Sequence, residues 1–141
     1  MPLKRRTGLR RMSAGRARSK RAVGAQRHAF IVEFPHCAYP GCRRRSVGIH
    51  EIALGWGIRP KAYSERCTWL PSCSRHNQSG VGFHDLRAMP LAHQCALKWV
   101  LDPQHYDLPR VNVLRGRSPQ AISVEEVAEY LAGDSLRTRH G

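Results

Sequence analysis

Two short pairs of metal-binding residues constrain this chain more than any other feature. The first is Cys37-Ala-Tyr-Pro-Gly-Cys42 and the second is Cys73-Ser-Arg-His76, with thirty residues between them. Pro40-Gly41 supplies a tight turn that brings two thiolates to one ion. Three soft thiolates and one imidazole make a Cys₃His set, which suits a tetrahedral structural zinc with a closed shell. Cys67 is an alternative ligand that could replace Cys73 or His76. Cys95 lies on an apolar helical face and reads as a core residue.

The chain has 141 residues and a net charge of +14. That length argues for one small domain, and a small core is one that a metal staple helps to hold. The charge is concentrated. Residues 1–27 carry Lys4, Arg5, Arg6, Arg10, Arg11, Arg16, Arg18, Lys20, Arg21 and Arg27, and no acid. Such a run self-repels and points to a polyanion. DNA is the expected partner, with RNA as the alternative, and Arg43, Arg44 and Arg45 behind the first cysteine pair extend the phosphate-facing set. An anionic membrane surface is the competing reading. The chain has no long apolar stretch, signal peptide or lipidation motif, so the expectation is a cytoplasmic protein that does not enter a membrane.

The expected fold class is α+β, a small zinc-stapled core with flanking helices. The expected organisation is a basic, flexible arm (1–27), a zinc domain (28–102), a helical extension (103–133) and a frayed tail (134–141). A helix should start after Ser13 and end at Phe34, because Pro35 stops it. Residues 47–54 read as a strand holding His50, residues 55–57 as a turn, 58–65 as a loop and 67–71 as extended. A helix beginning near Pro90 should set Leu91, Cys95 and Trp99 on one face. Asp107-Leu108-Pro109 starts a further turn. Ser123 and Glu126 form a capping box for a last helix with Val124, Val127, Tyr130 and Leu131 as its apolar face.

A second group of polar residues, His50, Glu51, Asn77, His84 and Asp85, is not needed for the zinc. Taken together, Cys37/Cys42, His50-Glu51-Ile52, Thr68-Trp69-Leu70, Cys73, His76 and His84-Asp85 resemble the HNH nuclease family, in particular its small phage-type endonucleases. The basic run from Pro2 to Arg11 is similar to the arm many of them carry. The likeness covers about residues 2 to 85. It implies a ββα-metal, treble-clef core and a metal-dependent DNA endonuclease. His50 and His84 would bind a catalytic Mg²⁺ or Mn²⁺, and Glu51 or His50 would activate water. The sequence departs from the family's pattern at Glu51, where the base histidine is usual, at Thr68, where the asparagine is usual, and in the long interval from His76 to His84. A catalytically inactive zinc protein that binds nucleic acid is the rival expectation, favoured by Glu51. His28, His36, His93, His105 and His140 have no motif behind them.

Overall fold

The computed structural model describes residues 14–52, 59–78, 80–116 and 120–133. The expected arm contacts at Lys4, Arg5, Arg6, Arg10 and Arg11, the cap at Ser13, the turn at 55–57 and the tail lie outside the described residues. The architecture is mixed: helices surround one small antiparallel sheet.

Helix α1 spans Ala14–Glu33 and runs unbroken past residue 27. Pro35 ends it, since the residue before a proline is pushed out of the helical region. Strands β1 (Gly48–Glu51) and β2 (Trp69–Ser72) pair antiparallel, with Gly48 opposite Ser72 and Glu51 opposite Trp69. Residues alternate across a strand. One face of the hairpin therefore presents Ile49 and Trp69 to α1, where they bury Phe30. The Phe30 and Trp69 rings meet edge-on at 5.5 Å. The other face presents His50 and Leu70 to the main core, which holds Phe83, Cys95, Leu97 and Val127.

The segment expected as a loop at 58–65 contains a short helix, α2 (Arg59–Ser64). A single 3₁₀ turn (Arg66–Thr68) leads from it into β2. Helix α3 spans Leu91–Leu101 and is the central support, buried at Ala92 through Lys98. Cys95 is 1% exposed, as expected of a core position, whereas Trp99 is 47% exposed, with its ring edge-on to Tyr106. Helix α4 (Leu108–Leu114) is capped by Asp107, whose carboxylate accepts from the Arg110 N–H at 3.0 Å. Helix α5 (Val124–Ala132) is capped by Ser123, whose hydroxyl accepts from the Glu126 N–H at 3.1 Å. Of the apolar face expected for α5, Val127 is buried and Tyr130 stacks on His93, but Val124 and Leu131 face solvent. Val127 and Tyr130 form a narrow stripe that meets α3.

A buried ionic knot ties α3 to the sheet. The Lys98 ammonium donates to the Trp69 carbonyl at 2.9 Å and to the Asp102 carboxylate at 2.8 Å. Arg66 and His105 bind the same carboxylate. Burial brings Lys98 down to about 8. Burial alone would raise Asp102, but the hydrogen bonds from Arg66, Lys98 and His105 outweigh it and hold the carboxyl well below its usual range. No helix among the described residues is long and apolar enough to cross a membrane.

Candidate functional site

The turn before Cys42 follows directly from its sequence. Pro40 fixes its own φ and Gly41 adopts a φ of +78°, which a side chain would resist. The turn closes with the Cys42 N–H donating to the Tyr39 carbonyl at 2.9 Å. This is the pattern of a type II turn, with proline at its second position and glycine at its third. It carries Cys37 and Cys42 to the end of β2, where Cys73 and His76 begin the next segment. The Ala38 N–H donates to the Pro71 carbonyl at 2.9 Å and fastens the knuckle to the sheet.

Cys37, Cys42, Cys73 and His76 offer ligand atoms that all lie within 4.8 Å of one another. The His76 Nδ1 is 3.6 Å from the Cys37 sulfur and 3.3 Å from the Cys73 sulfur, and the sulfurs of Cys42 and Cys73 are 3.9 Å apart. A tetrahedral zinc with ordinary bond lengths sets sulfur–sulfur edges at about 3.8 Å and sulfur–nitrogen edges at about 3.6 Å. The four residues therefore fit one zinc ion. Burial pushes the Cys37 thiol up to about 12, while at Cys73 burial is outweighed by the His76 N–H and neighbouring donors, which lower it. A bound cation would stabilise every thiolate in the set. Cys67 stays outside it, packed in the core at 8% exposure. Among the described residues no other group of three or more His, Cys, Asp or Glu side chains is gathered in this way.

Aromatic stacking runs from the Cys/His quartet to the second polar group. Tyr39 lies parallel on the His76 ring at 4.0 Å. Phe83 meets Tyr39 edge-on at 5.5 Å and stacks on His50 at 4.9 Å. His50 meets His84 at 4.9 Å, nearly perpendicular. The long interval from His76 to His84 is a closed loop. The Phe83 N–H donates to the His76 carbonyl at 3.1 Å. Gly82 sits at φ +59°, and a Cβ there would come within 2.5 Å of the His76 backbone, so only glycine fits. His84 follows in a 3₁₀ turn (Gly82–His84), with its Nε2 3.4 Å from the Asn77 amide oxygen.

His50 is 3% exposed and has one hydrogen-bond partner, Gln94 of α3. The partner fixes the tautomer. The Gln94 amide nitrogen donates to the carbonyls of Phe83 at 2.9 Å and Met89 at 3.0 Å, so its amide oxygen faces His50. That oxygen, 2.7 Å from Nε2, only accepts. Nε2 therefore carries the proton and Nδ1 keeps a lone pair, buried and without a partner. Burial lowers the imidazole to about 3, against the opposing pull of Gln94, so the ring is neutral at pH 7. Burial also lowers His84, with the Glu51 charge opposing it.

Glu51 does not join the histidines. It follows His50 in β1, so its side chain leaves on the α1 face, where Arg27 lies 3.6 Å away. Arg27 in turn donates to the Tyr63 carbonyl at 2.9 Å and covers the Tyr63 ring at 4.0 Å. Asp85 turns the other way and accepts from the N–H of Arg87 at 3.2 Å. Arg43, Arg44 and Arg45 are exposed beside the knuckle, and Arg16, Arg18, Lys20 and Arg21 are exposed on α1. Sequence reasoning did not reach Gln94, which lies 44 residues from His50 in a stretch without a motif. Comparison with protein-family models, characterised proteins and solved structures gives no match.

Proposed function

We propose that this chain is an HNH-type DNA endonuclease, with a structural zinc in a treble-clef core and a separate divalent ion at the histidine pair. The observation that carries the reading is the convergence of His50 and His84. They come from β1 and from the segment after the zinc ligands, and their rings meet at 4.9 Å. His50 adds a neutral ring with an uncommitted Nδ1 lone pair. That atom can take a proton from water or ligate a cation. His84 supplies the second nitrogen, and Asn77 and Gln94 hold the two rings. Mg²⁺ or Mn²⁺, when bound, supplies positive charge to the phosphate and the leaving oxygen. Two protein donors leave its remaining positions to water and phosphate oxygens, as Mg²⁺ favours. Glu51 is tied to Arg27, and the one Nδ1 lone pair of His50 serves either as a ligand or as the base; as the base it leaves the ion to His84 alone. The exposed Arg43, Arg44 and Arg45 draw in the phosphate backbone.

The second reading is a zinc-binding nucleic-acid-binding protein of the same fold without cleavage. The near-complete burial of His50 and the turning away of Glu51 favour it. Nicking of supercoiled plasmid with Mg²⁺ or Mn²⁺ separates the two. Cleavage that needs the divalent ion and is lost in His84→Ala, with zinc content and DNA affinity unchanged, sustains the nuclease. Salt-sensitive DNA binding with no cleavage under either ion leaves the second reading.

A further inference from the structure

The basic half of α1 differs from an ordinary charged surface in how its charges are arranged. The helix is fastened to the body from Arg27 onward, through Arg27 over Tyr63, Phe30 in the core and Glu33 bound by Arg66. Ahead of that, residues 14–22 are exposed apart from the half-buried Ala17. At about 100° per residue, Arg16 and Lys20 form one row and Arg18 and Arg21 a second row roughly 150° around the helix. Ser19 and Gln26 lie midway between the rows on the wider side, an arc of roughly 210°, with the small residues Gly15 and Ala22 beside them. All four of these are exposed. From Ala14 to Gln26 the helix is about 20 Å long at 1.5 Å per residue.

A flat anionic surface would meet one of the two basic rows and strand the other. A membrane would also need an apolar face, which this half of the helix lacks. The arrangement suits a channel with phosphates on both walls and hydrogen-bonding groups on its floor. The major groove of B-form DNA is about 12 Å wide and admits an α-helix, whereas the major groove of duplex RNA is too narrow for side chains to read. Resting on the DNA-binding reading above, we infer that residues 14–26 of α1 dock in the major groove of duplex DNA. Arg16 and Lys20 face one phosphate wall, Arg18 and Arg21 face the other, and Ser19 and Gln26 face base edges.

The test measures binding by fluorescence anisotropy, using the full zinc-loaded chain without Mg²⁺ or Mn²⁺ so that cleavage does not enter. The probes are a 20-base-pair DNA duplex, the same sequence as duplex RNA, and the DNA with glucosylated 5-hydroxymethylcytosine, whose sugars fill the major groove. The expected result is binding at least tenfold weaker to the RNA and to the glucosylated DNA. Ala22→Pro breaks the helix without changing its charge and should weaken binding to plain DNA at least tenfold, with zinc content unchanged. Arg18→Ala with Arg21→Ala, which keeps the helix, should lower the salt dependence by about two phosphate contacts. Equal affinity for plain and glucosylated DNA, or for Ala22→Pro and the parent chain, overturns the groove assignment while leaving DNA binding standing. Absence of binding to every nucleic acid overturns both this inference and the function proposed above.

Discussion

Gln94 and His50 share a 2.7 Å hydrogen bond that joins α3 to β1 and leaves His50 with one orientation and one tautomer. Replacing Gln94 by Leu removes the acceptor for the His50 N–H and the donor for the carbonyls of Phe83 and Met89. A buried polar group left without its partner costs about 1–3 kcal/mol, so the loss should reach about 3 kcal/mol or more. Gln94→Glu keeps an acceptor for His50 but removes both donated bonds, and should fall between Leu and the parent. Urea midpoints rank the three proteins, and the ¹⁵N shifts of the His50 ring report the tautomer. A His50 signal unchanged in Gln94→Leu would show that the amide does not set it.

Asp102 holds its proton less tightly in the folded chain than in the unfolded one, because Arg66, Lys98 and His105 bind its ionised form. Its stabilising contribution is present above the unfolded carboxylate range, around pH 4. It is lost as pH falls below that, because the unfolded state then binds the proton first. Thermal melts from pH 6 to pH 3 should show a steep fall in Tm, and Asp102→Asn should flatten it. At neutral pH, Asp102→Ala strands the buried Lys98 ammonium, at a cost of about 3–5 kcal/mol.

Gly82→Ala forces a methyl against the His76 backbone at a positive φ. Strain of this kind is on the order of 1–3 kcal/mol. With His76 as one of the four proposed ligands, the variant should also bind zinc more weakly, which competition with a chromogenic chelator measures. A parent-like zinc affinity would show that the loop can shift without moving the ligand.

Cys73→Ser removes a thiolate from the centre of the quartet. One zinc per chain in the parent, measured by elemental analysis, and none retained in the variant is the expected outcome. Loss of the cooperative melt should accompany it, since structural zinc affinity is folding free energy.

The convergence of Cys37, Cys42, Cys73 and His76 was legible because metal-ligand chemistry fixes both residue types and spacing, and a Pro-Gly turn announces the knuckle. The two strand segments and the cap at Ser123 were legible for similar local reasons, whereas the turn expected at Asp107 is the capped start of α4. Helix α2 was missed, although Pro60 in its first turn is a helix-start signal. The placement of Glu51 depended on strand parity. An alternating strand sends neighbours to opposite faces, so the Glu51 side chain leaves toward Arg27 while the His50 ring faces Gln94. The His50–Gln94 bond and the reach of Arg66 to Asp102 and of Lys98 to Trp69 were not legible, because they span 29 to 44 residues and no pattern marks them.

The loop between His76 and Phe83 has one further consequence, for recognition by pattern. Its two ends are pinned to each other by a backbone hydrogen bond, so the place of His84 does not depend on how many residues lie between. Doubling such a loop adds only about 0.6 kcal/mol of closure entropy. Added residues there would cost little in closure entropy while the geometry at its base stays put. A signature written with a fixed interval between these histidines is blind to chains built this way, whereas one written on the pinned ends would find them.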